Sequence, residues 1–177
     1  MPARVNVRFG GFGGQGIITS GVILGRAAIY DGKDAVQSQS YGQQARGGEC
    51  RCDVIISDET IVYPLIDKAD ILVVMSRPAL EAYIRTLKTG GCLILDTDLV
   101  GFIPDRSDIE IVEIPATKTA SKLGRTIVAN MVMLGALVKK TKIVSEEALR
   151  KAVHDTFHLS MVELNLKAVE EGMKLLS

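Results

Sequence analysis

Residues 8–21 read RFGGFGGQGIITSG: the end of an apolar strand, a run of glycines, then the start of helical spacing. Residues 5–9 alternate and stop at glycines, which predicts a first strand. Ile17, Ile18, Val22, Leu24, Ala27 and Ala28 suit a helix packed on a sheet over residues 15–30, stopped by Asp31-Gly32. Gly11, Gly13 and Gly16 between them fit G-x-G-x-x-G, the pattern of a dinucleotide site. Strand, glycine turn and helix in this order predict an α/β domain.

The same reading extends along the chain. Residues 33–38 and 49–57 read as a second and third strand, and 61–63 as a short pairing segment. Between them, QSYGQQARGG at 39–48 is a polar, glycine-bearing loop. ILVVM after Asp70 is a continuous apolar run, the signature of a strand buried on both faces of a parallel sheet. Pro78 opens the next helix, Gly90-Gly91 ends it, and 92–95 and 109–114 read as further strands. Helices are predicted at 117–123, 125–139, 145–157 and 159–176. Ser145 with Glu146 and Glu147 is a capped helix start. Val162, Leu166, Val169, Met173 and Leu176 form one apolar stripe of core-packing spacing. The expectation is a single Rossmann-like α/β domain over residues 1–177, with a mostly parallel sheet and a helical C-terminal third.

Composition narrows the function. Among 177 residues, 21 basic side chains balance 21 acidic ones, and no basic run stands out. Nucleic-acid affinity rests on phosphate neutralisation, so no nucleic-acid partner is expected. The most apolar stretch, 127–138, is interrupted by Asn130 and Gly135 and is too short to span a bilayer. No signal core opens the chain, so a cytoplasmic protein without a membrane partner is expected. Hydrophobic residues make up 47% with only 5% aromatics. Such an aliphatic surplus suits a chain partly covered by another. Cys50, Cys52 and Cys92 cannot supply the four ligands of an iron–sulfur cluster. Cys50 and Cys52 share a strand face and read as small buried hydrophobes. His154 and His158 lie in helical sequence with no partner triad and read as non-catalytic. No metal ligands or catalytic residues are assigned.

A glycine turn before a helix offers free N–H groups at the positive end of the helix dipole, where an anion fits. A dinucleotide site also needs an acid at the end of the second strand, to hold the ribose hydroxyls. Here that strand runs out through Gln37, Ser38 and Gln39, and Asp31 and Asp34 stand at its other end. The turn is not a P-loop either, since Ile17 and Ile18 follow Gly16 where Lys and Ser/Thr are required. An NAD(P)-dependent Rossmann-type dehydrogenase and a nucleotide-sensing module remain as alternatives.

Both glycine segments, Gly11-Phe12-Gly13-Gly14-Gln15-Gly16 and Ser40-Tyr41-Gly42 followed by Arg46-Gly47-Gly48, belong at the carboxyl ends of strands. Together they resemble the gamma subunit, or gamma domain, of the 2-oxoacid:ferredoxin oxidoreductases. That family looks like G-x-G-G-Q-G, then S-Y-G-x-x-x-R-G-G about 25 residues on. NMVMLGAL at 130–137 and LNLKA at 164–168 extend the resemblance to nearly the whole chain. Gln43-Gln44-Ala45 departs from the Pro-Glu or similar that many members carry before the Arg.

The resemblance implies a subunit of an enzyme that oxidatively decarboxylates a 2-oxoacid, acylates coenzyme A and reduces ferredoxin. The late helices look more like 2-oxoglutarate-type than pyruvate-type gamma chains. Thiamine diphosphate, Mg and iron–sulfur clusters are then implied in partner alpha and beta subunits, or in a ferredoxin-like delta subunit. A dimer of the assembly is a further expectation. This chain binds none of those cofactors and is expected to be inactive alone. Its own part is to complete the assembly and to bind coenzyme A as co-substrate. Gly11, Gly13, Gly14, Gln15, Gly16, Ser40, Tyr41, Gly42, Arg46, Gly47 and Gly48 are the expected binding residues.

Overall fold

Strand β4 (Ala69–Val74) shows how the layers are built. Ile71 and Val73 pack into one hydrophobic cluster, and Leu72 and Val74 into another. A strand greasy on both faces needs helices on both sides. The computed structural model, describing residues 4–41 and 49–176, has that arrangement.

Six strands form one sheet in the order β2-β3-β1-β4-β5-β6. They are β1 (Arg4–Phe12), β2 (Asp34–Tyr41), β3 (Glu49–Ser57), β4, β5 (Leu87–Asp96) and β6 (Glu110–Ile114). β1, β4, β5 and β6 run parallel; β3 is antiparallel to both β1 and β2. Five of the six strands therefore point the same way, as the mostly parallel expectation requires.

On one face lie α1 (Ile17–Tyr30), α5 (Ala129–Thr141), α6 (Glu146–Thr156) and α7 (Leu159–Lys174). They bury Ile23, Leu24, Leu134, Leu137, Leu149 and Val169 against Val7, Phe9, Val54 and Ile94 of the sheet. The other face carries α2 (Arg77–Tyr83) and the short α3 (Thr97–Val100), packed on Leu72, Leu93 and Leu95. α4 (Ala116–Lys122) leads from β6 towards α5.

Several local predictions hold. The Ser145 hydroxyl accepts the Ala148 N–H at 3.0 Å and caps α6. Asp31 closes α1, with Gly32 at φ 74°. Three details differ. Residues 61–63 form no strand; Ile61 instead packs beside buried Ile55, Ile66 and Ala69. Gly90-Gly91 lie inside β5 rather than ending α2, which stops at Tyr83 and passes through a 3₁₀ turn. A Cβ on Gly91 would press on the Lys88 and Asp70 carbonyls, so the glycine serves close strand packing. The stretch expected as one helix over 125–139 begins as a 3₁₀ turn, and α5 starts at Ala129.

Candidate functional site

The glycine run divides into a strand end and a turn. Gly10 and Gly11 continue β1, in register with Arg51 and Cys50 of β3. A Cβ on Gly11 would press on the Gln15 side chain and on Ile17. That space lets Gln15 act as a brace. Its carbonyl oxygen accepts the Phe12 N–H at 2.6 Å, and its amide donates to the Met75 carbonyl at 2.8 Å. Gln15 thus ties the ends of β1 and β4 together, at the point where the sheet's connections reverse.

Gly14 and Gly16 have φ of 97° and 74°, a region that favours glycine. Gly16 stands just before α1. No side chain caps this helix, and its first turn holds no acid. Its first N–H groups keep their partial positive charge, as an anion site requires.

A cavity of about 380 Å³ opens in front of them, lined by Gly13, Gly14, Gly16 and residues 17–19 of α1. Phe12, Ile127, Phe157 and Met161 make its apolar walls, with Cys50 beside them. Two polar side chains, Asn130 of α5 and Asn165 of α7, also line it and are at least nine-tenths buried. Asn130 donates to the Gly16 carbonyl at 3.1 Å, and Asn165 to the Met161 carbonyl at 2.8 Å. Among the described residues, their carboxamide oxygens accept no hydrogen bond. A neighbouring hollow of about 330 Å³ shares Gly14 and Ile127 and is lined by Gln15, Met75 and Thr117. The arrangement offers N–H donors for an anion, two amide acceptors, and apolar walls for a ring or an alkyl arm.

The structure therefore gathers Gly13, Gly14 and Gly16 at one cavity and sets Gly11 and Gln15 beneath them as supports. Ser40 is exposed on β2, and Tyr41 is the last residue of that strand. Phe12 is in register with Glu49, and Tyr41 with Cys50. The ends flanking the second segment thus stand beside the end of β1. Gly42, Arg46, Gly47 and Gly48 themselves lie outside the described residues. Asn165, Phe157 and Met161 were not singled out as site residues from sequence. A sequence signal existed for Asn130: a polar residue within a helix that is otherwise apolar nearly all round.

The dinucleotide alternative loses its geometry here. β3 lies between β1 and β2, so the end of β2 is two strands from the glycine turn, ~10 Å away at normal strand spacing. The exposed end of β2 carries Ser38, Gln39 and Ser40, with no acid. Cys50 and Cys52 are buried on the α1 face, as their spacing implied. Burial pushes the Cys50 thiol up, and that of Cys52 to about 11. His154 is exposed beside Asp155, and His158 caps α7.

The model of the pyruvate ferredoxin/flavodoxin oxidoreductase family matches residues 6–175. The chain is 48% identical to the 2-oxoglutarate synthase subunit KorC of Methanothermobacter marburgensis, over 98% of this chain and 97% of that one. Its fold is similar to the gamma subunit of a keto/oxoacid ferredoxin oxidoreductase from Geobacter sulfurreducens. The TM-score there is 0.86 and the identity 44%, over 98% of this chain and 99% of the other. It also superposes on part of a 2-oxoglutarate:ferredoxin oxidoreductase from Magnetococcus marinus, solved with 2-oxoglutarate, coenzyme A and succinyl-CoA bound. That match has a TM-score of 0.90 and 26% identity, and covers all of this chain but 32% of that one. By family model and full-length identity alike, the chain belongs to the pyruvate ferredoxin/flavodoxin oxidoreductase family.

Proposed function

We infer that the chain is the gamma subunit of a 2-oxoglutarate:ferredoxin oxidoreductase, a CoA-acylating oxidative decarboxylase. The observation that carries this reading is the 48% identity, end to end, to a 2-oxoglutarate synthase subunit. In this reading thiamine diphosphate, Mg and the iron–sulfur clusters belong to alpha, beta and delta partners. Ferredoxin accepts the electrons, the assembly pairs as a dimer, and the enzyme works in the cytoplasm.

The chain's own contribution is to hold coenzyme A at the glycine edge. The N–H groups around Gly13, Gly14 and Gly16 face the diphosphate, with the α1 dipole behind them. Arg46 supplies a charge for a phosphate, and Ser40 and Tyr41 contribute hydroxyls. The oxygens of Asn130 and Asn165 receive N–H groups of the base or the pantetheine arm. Among the described residues, the cavity lining holds no Asp, Glu, His, Lys or Arg. It binds and orients, while proton transfer and redox chemistry belong to the other chains.

Arg46→Ala tests this in the complete complex. A charge-assisted hydrogen bond is worth about 1.5–3 kcal/mol, so the KM for coenzyme A should rise roughly 10- to 100-fold, with kcat changed less. An unchanged KM removes Arg46 from the role. Loss of the complex instead would make the loop an assembly contact.

A further inference from the structure

Asp96 ends β5 and is fully buried, an acid at the carboxyl edge of the sheet. Among the described residues no ion pair neutralises it. Three donors hold it instead. Its Oδ1 accepts the Asp98 N–H at 3.1 Å and the Thr117 N–H at 3.4 Å, and its Oδ2 accepts the Thr117 hydroxyl at 2.6 Å. Burial pushes the Asp96 carboxyl up, and these hydrogen bonds oppose that. A threonine hydroxyl has one proton and two lone pairs. With its proton turned inward onto Asp96, the Thr117 oxygen is left as an acceptor. Among the described residues nothing donates to it.

Thr117 is half-buried and lines the hollow of about 330 Å³ beside the glycine turn. Met75, Leu99, Ile127 and Ala129 make the apolar walls of that hollow. Leu99 is 41% exposed and Ile127 56% exposed, apolar surface that a ligand between them would cover. Among the described residues the lining holds no Asp, Glu, His, Lys or Arg, so a phosphate finds no counter-charge here. Thr126 adds a second hydroxyl, which no hydrogen bond among the described residues orients. The hollow meets the larger cavity at Gly14 and Ile127. It suits a flat, uncharged ring with an N–H donor on its edge, joined to an anion held at the glycine turn.

We propose that this hollow is the adenine subsite of the coenzyme A site, with Thr117 reading the 6-amino group and Asp96 positioning Thr117. The proposal rests on the coenzyme A reading of the glycine edge above and gives the co-substrate a direction. Adenine presents its N6 amino group as a donor. Hypoxanthine has an oxygen in that place, which would meet the lone pairs of Thr117. With the diphosphate at Gly14, between the two compartments, the pantetheine arm runs into the larger cavity. The arm carries two amide N–H groups, and that cavity offers two carboxamide oxygens, those of Asn130 and Asn165. One molecule then meets the polar groups of both compartments.

The test uses the complete complex and two fragments of the co-substrate as competitors of coenzyme A, adenosine 3′,5′-bisphosphate and 4′-phosphopantetheine. It also compares KM for coenzyme A with KM for its hypoxanthine analogue. Thr117→Val keeps the shape and removes the acceptor. It should weaken the nucleotide fragment about tenfold, leave phosphopantetheine unaffected and erase the preference for adenine. Thr117→Ser should retain that preference. In Asp96→Asn the new amide donates to the Thr117 oxygen and turns the hydroxyl proton outward. The preference should then move towards hypoxanthine, a shift that loss of packing would not produce. A preference for adenine that survives Thr117→Val overturns the proposal, as does equal weakening of both fragments. A preference unmoved in Asp96→Asn overturns the positioning role. Arg46→Ala separates this subsite from the reading it rests on. If KM for coenzyme A rises in Arg46→Ala and not in Thr117→Val, the glycine edge stands and the adenine subsite falls. If neither variant changes it, both fall.

Discussion

Gly16 answers to two constraints at once. Its φ of 74° is strained for other residues, and a Cβ there would overlap the Asn130 carboxamide that donates to its carbonyl. Gly16→Ala should therefore combine left-handed strain of about 1–3 kcal/mol with loss of the Asn130 contact. A fall in Tm of several degrees, together with weaker coenzyme A binding by the complex, is the expected result. Gly14→Ala isolates the first constraint, since a Cβ there meets nothing within 4 Å. Cys52 gives a residue-scale prediction of a different kind. Its burial pushes the thiol to about 11, above the ~8.5 of an unfolded cysteine. Between those values the unfolded chain has lost the proton and the folded chain keeps it. Stability must then fall as pH rises through that window. Thermal unfolding from pH 8 to 11 should show a steeper decline for the natural chain than for Cys52→Ala. Equal slopes would contradict the buried thiol.

At the scale of elements, the crossing of α5 and α7 is the tightest contact between helices. A Cβ on Gly135 would overlap the Val169 carbonyl, and one on Gly172 the Val132 carbonyl, so each helix rests on the other's backbone. Gly135→Ala must separate the pair. Overpacking costs about 1–3 kcal/mol, and a domain of this size loses roughly 2–4 °C per kcal/mol. A drop in Tm of ~5–10 °C is expected, and a change under 2 °C would show that the helices slide apart freely. Because Asn130 and Asn165 sit on the same two helices, the variant should also loosen the cavity. The sequence revealed these helices by their apolar spacing, but the crossing depends on a backbone approach that no periodicity records. The same limit applies to the strands. β3 was legible from its alternation, yet its insertion between β1 and β2 is a matter of pairing. Gly90-Gly91 read as a stop because glycine marks turns more often than close strand packing. At the candidate site, the turn at Gly13–Gly16 was visible as a motif. Gln15 looked like a ligand residue in that motif, and only its contacts with Phe12 and Met75 show a brace.

For the whole molecule, the division of labour follows from where charge is and is not found. The carboxyl edge of the sheet holds a helix N-terminus, two amide oxygens and apolar walls. Among the described residues, Cys50 is the one ionisable group in the cavity lining, and burial pushes its thiol up. In the proposed function such a site holds and orients the co-substrate. A chain of this design should be inactive alone and indispensable in company. Purified by itself, it should support no 2-oxoglutarate-dependent reduction of ferredoxin. Added back to an oxidoreductase lacking this subunit, it should restore that activity saturably, levelling off at one chain per catalytic unit. Arg46→Ala should reach saturation at the ordinary concentration but demand more coenzyme A. Activity from the chain alone would refute this division. Restoration by Arg46→Ala with an unchanged demand for coenzyme A would remove Arg46 from the proposed co-substrate site.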